Sequence, residues 1–314
     1  MRAWVGLAAA GGLIAACGGP TAPITPPPTL PTPTPEPSYP VVAAAGDIAC
    51  GVPLGGNSCR QADTALRVID SAPDVVLPLG DLQYESGVYA DFINVYDATW
   101  GRFREKTRPV PGNHEYLTPN AQGYFDYFDG LSAASGAAGD RDKGYYSFDL
   151  GDWHIIALNS NCGQVRGCER GSPQELWLRA DLVTHHRPCT LAYWHHARFS
   201  SGPNGNHLQV EPLWMDLYDG GVDVVLNGHD HDYERFAPQT PQGLADEARG
   251  MREFVVGTGG RNLTRFVSEQ PNSEARSDAT FGILRLRLRP DTYEWEFVPI
   301  AGQTFADRGL GVCH

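Results

Sequence analysis

Five short apolar runs in this chain each stop at a side chain able to bind a metal ion. Val41–Ala45 runs into Gly46-Asp47, residues 74–79 into Gly80-Asp81, and Pro109-Val110-Pro111 into Gly112-Asn113-His114-Glu115. Residues 191–194 run into His195-His196, and residues 222–226 into Asn227-Gly228-His229-Asp230-His231. Short, continuously apolar runs suit strands buried on both faces. Strand ends in α/β architectures converge on one edge, where ligand crevices form. A single histidine at such an edge is commonly just a hydrogen-bonding residue. Five strand ends that all carry Asp, Asn or His predict one shared metal site.

The intervening sequence predicts both helices and paired strands. Ser172-Pro173-Gln174-Glu175 has the N-cap, N1 proline and N3 glutamate of a capping box. Val210, Leu213, Trp214, Leu217 and Tyr218 fall at i, i+3, i+4, i+7 and i+8, the stripe of a helix lying on a sheet. Residues 145–150 and 153–158 read as one hairpin, and residues 281–288 with Thr292–Pro299 as another. The expected fold class is α/β (α+β): a β-sandwich flanked by α-helices, with the site at the strand C-terminal ends.

Charge narrows the partners. The 314 residues carry 37 acidic against 24 basic side chains, a net charge of −13, which argues against a broad nucleic-acid footprint. A small anionic substrate needs local positive charge, most economically from metal ions.

The first 40 residues read as an address followed by a spacer. Arg2 precedes an uncharged stretch, residues 3–16, that fits a secretory h-region. It ends in Ile14-Ala15-Ala16-Cys17, which resembles a bacterial lipobox with Cys17 as the lipidated residue. From Pro20 to Pro40 ten of 21 residues are proline, so this stretch should run as extended polyproline II. The expected organisation is a lipoprotein signal over 1–17, a stalk over 18–40 and a catalytic domain over 41–314. Localisation would then be exported, with membrane contact only through the lipid. Six further cysteines, an even number, favour disulfides in an exported chain. Proximity and elimination favour Cys50–Cys59, Cys162–Cys168 and Cys189–Cys313 among fifteen possible pairings.

The series Gly46-Asp47, Gly80-Asp81-Leu82-Gln83-Tyr84, Gly112-Asn113-His114-Glu115, His195-His196 and Gly228-His229-Asp230-His231 resembles the five motifs of the calcineurin-like metallophosphoesterases. Much of that superfamily has Asp-x-His in the first motif, but Ala49 stands two residues past Asp47. The second motif instead ends in Tyr84. Gly-Asp-x-x-Tyr without a first-motif histidine is similar to the purple acid phosphatase branch, where a tyrosinate binds a ferric ion. The resemblance implies two metal ions. Asp47, bridging Asp81, Tyr84 and His231 would hold Fe(III), and Asp81, Asn113, His195 and His229 a divalent Zn, Fe or Mn ion.

The resemblance also implies hydrolysis of small phosphate esters by a water activated between the ions. His114 is the first candidate to protonate the leaving group; His196 and His207 are further candidates for substrate contact. His185 and His186, at a helix end, read as structural. Phosphomonoesters are the expected substrates. A phosphodiesterase or nucleotidase on the same site, or a non-catalytic cell-surface binding lipoprotein, are the alternatives.

Overall fold

Apolar runs with no polar interruption and runs that alternate divide this chain's strands into buried and half-covered ones. The structure, a computed structural model, describes residues 38–51 and 59–314, with Met1, Gly11, Gly12, Ala15 and Gly19 as isolated positions. Cys17 and residues 20–37 of the expected stalk lie outside the described residues. The chain divides into Met1–Pro37 and Ser38–His314, and the second unit carries every element below. Among the described residues, no helix is long and apolar enough to cross a membrane.

The strands are β1 (Val41–Ala45), β2 (Val75–Pro78), the short ribbon β3 (Ser135–Gly136) and β4 (Gly139–Asp140), β5 (Tyr146–Leu150), β6 (Trp153–Ala157), β7 (Cys189–His196), β8 (Val224–Gly228), β9 (Tyr233–Phe236), β10 (Arg252–Val256), β11 (Ser273–Ser277), β12 (Gly282–Leu288), β13 (Thr292–Pro299) and β14 (Arg308–Val312). The helices are α1 (Gln61–Ser71), α2 (Tyr89–Asp91), α3 (Gln122–Phe128), α4 (Pro173–Thr184) and α5 (Glu211–Asp219). One sheet has the order β14-β13-β12-β1-β2 and the other β11-β9-β10-β8-β7-β6-β5. β1 and β2 are parallel, as are β6, β7, β8 and β10.

Side-chain alternation explains the layers. Ile155, Leu191 and Val224 of the second sheet join Val42, Leu77 and Leu286 of the first in one core. Their neighbours Ile156, Ala192 and Val225 face the other way and pack with Leu178 of α4 and Leu213, Trp214 and Leu217 of α5. The fold is therefore a sandwich with helices outside. α4 begins where its capping sequence predicts: Ser172 Oγ accepts the Glu175 N–H, and Glu175 Oε2 accepts the Gly171 N–H at 2.9 Å.

One expectation needs correcting. Pro109-Val110-Pro111 forms no strand; only isolated bridges, Val76 to Thr107 and Leu79 to Val110, extend the sheet there. Two prolines in three residues remove the N–H groups that a ladder needs. Ahead of β1, Leu288 N–H donates to Pro40 O at 2.9 Å, and Arg289 lies over the Tyr39 ring.

Disulfides join Cys50 to Cys59, Cys162 to Cys168 and Cys189 to Cys313. The last spans 124 residues and ties the start of β7 to the chain end; closing so long a loop is worth about 4–5 kcal/mol in the chain-entropy picture. At the site edge the two sheets are stitched by backbone, with Gly46 N–H on Val256 O at 2.8 Å and Gly259 N–H on Gly46 O at 2.9 Å.

A buried histidine fastens α4 to the sheet. His154 Nε2 meets Asp181 Oδ2 at 2.8 Å and its Nδ1 meets Asp149 Oδ1 at 2.9 Å. Burial opposes its charge, but these two carboxylates outweigh that and hold His154 above its ordinary 6.5. Both carboxyls are in turn held low: Asp149 mainly by Arg187 and His154, Asp181 by His154 and Ser147 against burial. A raised histidine stabilises fully below about 6.5 and loses this as pH climbs through its folded value; the carboxylates contribute only above about 4. His154→Gln should therefore cost most between those limits and less at pH 9. Urea unfolding of both proteins at pH 6 and pH 9 checks this, and an equal cost at both values would mean that His154 bridges as a neutral ring.

Candidate metal centre

Three of the residues expected to bind metal leave their strands through left-handed backbone. Asp47, Asp81 and His229 have φ of 60°, 51° and 74°, conformations that cost non-glycine residues of order 1–3 kcal/mol each. Neighbouring groups enforce them. Glu115 accepts the N–H of Asp81 and of Leu82, each at 2.9 Å, and of Gly112 at 2.7 Å. His229 N–H donates to Asp47 Oδ2 at 2.9 Å. A Cβ on Gly112 would lie 2.1 Å from Asp81 Oδ1, so only glycine fits there.

These turns aim two groups of donor atoms at one spot. Tyr84 Oη lies 2.9 Å from Asp47 Oδ1, 3.0 Å from Asp81 Oδ2 and 3.1 Å from His231 Nε2. His195 Nε2 lies 3.3 Å from Asp81 Oδ2, 3.2 Å from Asn113 Oδ1 and 3.2 Å from His229 Nδ1. His195 Nδ1 donates to Leu79 O at 2.8 Å, which turns its other nitrogen toward the carboxylate. Asp47, Asp81, Tyr84 and His195 are fully buried, and Asn113, His229 and His231 half-buried.

The donor chemistry fits two cations. Atoms that share one ion at about 2.1 Å and right angles stand about 3 Å apart, the spacing seen in both groups. Burial opposes charge on the rings, but Asp81 and Asp47 push His195 up to about 9, and Asp47 raises His231 in the same way. The Asp81 carboxyl stays far below its ordinary range, because His195 and His114 overcome the cost of burial. Tyr84 is driven well above 10 by burial and by the charges of Asp47 and Asp81.

The other three histidines ring the centre. The His114 ring packs at a tilt against the Tyr84 ring, centroids 4.3 Å apart, with Nε2 3.9 Å from Asp81 Oδ2 and Nδ1 on Glu85 O at 2.5 Å. His196 is buried with Nδ1 on Ser160 Oγ at 2.8 Å, and its ring stacks on His207 at 4.6 Å. His196 also offers a nitrogen within 4.8 Å of those of His195 and His229. Burial and the neighbouring His195 keep both His196 and His207 below their ordinary value.

The family model for calcineurin-like phosphoesterases matches residues 40–233. The chain belongs to this family. Among curated relatives, purple acid phosphatase 15 of Arabidopsis thaliana is 28% identical over 66% of this chain and 43% of its own length. Purple acid phosphatase 21 of the same plant is 31% identical over 81% of this chain and 59% of its own. The chain thus spans about half the length of these relatives. A purple acid phosphatase from yellow lupin seeds shares the fold, with a TM-score of 0.70 and 20% identity, over 89% of this chain and 55% of that one. Within the calcineurin-like phosphoesterases, the chain stands in the purple acid phosphatase-like branch.

Sequence reasoning missed the residues that support this phosphoesterase site. Glu115 was legible only as part of a motif, yet it holds the Asp81 turn. Burial pushes it up to about 7, with Asp81 adding to the rise. Residues 197–207, which carry His207, hang on three buried carboxylates. Glu253 accepts the N–H of Arg198 and Phe199, and Asp230 accepts Ser200 Oγ and Asn204 N–H. Glu234 accepts Ser201 through both N–H and Oγ. Alternation along Asp230-His231-Asp232-Tyr233-Glu234 was the available signal for the last two; Glu253 carried none.

Because Asp81 belongs to both donor groups, its loss should be worse than that of a residue serving one. Asp81→Asn should take metal content per chain toward zero and His195→Ala toward one. Elemental analysis after dialysis reads this directly, and two metals retained by Asp81→Asn would show that Asp81 does not bridge.

Proposed function

We propose that this chain is an exported phosphomonoesterase of the acid phosphatase type. The observation that carries the reading is Tyr84 Oη seated between Asp47, Asp81 and His231. The proposed loading is Fe(III) with Asp47, Asp81, Tyr84 and His231, and a divalent Zn, Fe or Mn ion with Asp81, Asn113, His195 and His229. Phenolate and carboxylates suit a hard trivalent ion, whereas imidazole and amide oxygen suit a divalent one. When bound, the pair would supply an activated water and neutralise charge on the transferring phosphoryl group.

The chain's own residues do the remainder. Glu85 O can only accept, so His114 holds a proton at Nδ1 and faces the site with Nε2. With a proton at Nε2 as well, His114 would pass it to the leaving oxygen. His196 and His207, kept neutral, can each donate one N–H to a phosphoryl oxygen. Export is supported by the three disulfides and by the lipobox-like sequence ending at Cys17. The acid phosphatase reading is supported by the likeness to the purple acid phosphatases of Arabidopsis thaliana.

Metal analysis with paired chromogenic substrates tests the function. Two metals per chain and at least tenfold faster turnover of p-nitrophenyl phosphate than of bis(p-nitrophenyl) phosphate is the expected result, about the factor that one lost charge-assisted hydrogen bond produces. The reverse order would make the enzyme a diesterase. Two metals with no turnover would leave a surface binding protein.

The Tyr84 assignment has its own test. Iron-loaded protein should show a visible phenolate-to-iron band that Tyr84→Phe abolishes, with Fe(III) retained more weakly and divalent ions still bound. A colourless, fully active wild type with two divalent metals would remove the ferric site and keep the hydrolase.

A further inference from the structure

Metal-binding side chains also gather at the opposite end of the second sheet. His154 stands in register with Thr190 at the start of β7, five residues before His195. At about 3.3 Å per residue, His154 lies about 16 Å along the strands from the metal centre.

Three residues bring donor atoms together there. His154 on β6 is buried, and its Nε2 lies 2.8 Å from Asp181 Oδ2 on α4. His185 follows Asp181 by one helical turn, with Nδ1 3.1 Å from Asp181 Oδ1. The two imidazole rings lie nearly parallel, centroids 4.7 Å apart. One donor atom from each of the three residues lies within 4.8 Å of the other two. An i,i+4 pair presents both side chains on one face of a helix. His185 stands just past the end of α4 with its side chain 42% exposed, so the ring has room to turn and close the group.

The residues behind this cluster are arranged as a metal site needs. A ligating imidazole commonly gives its other N–H to a carboxylate, which fixes the tautomer and the ring. Asp149 stands opposite His154 on β5, with Oδ1 2.9 Å from His154 Nδ1. With Nδ1 committed there, the ring turns Nε2 toward Asp181. Arg187 holds Asp149 at 2.6 Å, and Ser147 Oγ donates to Asp181 Oδ1 at 2.7 Å. Two imidazoles and one carboxylate suit Zn(II), whereas Mg(II) and Ca(II) call for oxygen donors. The exposed side of His185 leaves a fourth position to water.

We propose that His154, Asp181 and His185 form an exchangeable Zn(II) site, emptied by dialysis, that clamps the end of α4 to β6. It is separate from the metal centre and independent of what that centre hydrolyses. An ion that binds only the folded chain stabilises it by linkage.

The test titrates free Zn(II) into the full chain with its centre already loaded. The wild type should take up one further equivalent and melt at a higher temperature with it. His185→Ala should lose that equivalent while keeping the metals of the centre and wild-type turnover of p-nitrophenyl phosphate. Asp149→Asn should weaken the further equivalent by about 10- to 100-fold, the usual effect of removing the partner of a metal-bound imidazole. His186→Ala should bind it as the wild type does. No further equivalent in the wild type overturns the site, as does one that survives in His185→Ala or disappears in His186→Ala. Absence of turnover in the wild type would overturn the hydrolase reading and leave this site standing.

Discussion

Carboxylates cannot be buried about 3 Å from a phenol and an imidazole unless protons or cations stand between them, and Asp81 imposes this condition on both halves of the centre. One Asp81 oxygen faces Tyr84 and His195 together. Its other oxygen takes the His114 N–H at 2.8 Å. Moving Asp81 would therefore break both donor groups and the turn that carries His114. That is why so much of the surrounding backbone serves to hold it: the Glu115 carboxylate gathers N–H groups from either side, and Gly112 leaves room that no other residue would.

The sandwich makes such a centre possible because its parallel strands end on one edge. Antiparallel neighbours would point alternate strand ends away. Here β1 with β2, and β7 with β8, deliver Asp47, Asp81, His195 and His229 to a common place. The backbone bonds between Gly46, Val256 and Gly259 keep the two sheet edges from separating. Strained ligand turns then rest on a rigid base, and strain concentrated at a site is tolerated only where the surroundings over-determine it.

The centre was more legible in the sequence than the fold that carries it. The residues expected to bind metal follow apolar runs directly, so chemistry and strand end are read in the same few letters. Paired carboxylates and their loops are separated by long stretches, as Glu253 is from Arg198, and nothing local announces them. Helix α1 escaped because Arg60 at its start offers no capping side chain and its buried face includes Gln61 and Thr64. Strands β11 and β14 escaped because they are edge strands, half-exposed and rich in polar residues and glycine. The false strand at Pro109 to Pro111 was apolar enough to be one but lacked the N–H groups.

Alternation on the segment after β8 has a consequence for how the two sides of the site communicate. His229 and His231 face the metal groups, while Asp230 between them turns the other way and receives Ser200 and Asn204. Asn204 Nδ2 also donates to His229 O at 3.0 Å. The backbone that carries His229 and His231 is thus bonded directly to the segment that presents His207. Glu234, three residues on from His231, fixes Ser201 in the same segment. The donor side chains of His229 and His231 and the ring of His207 therefore rest on one hydrogen-bonded framework.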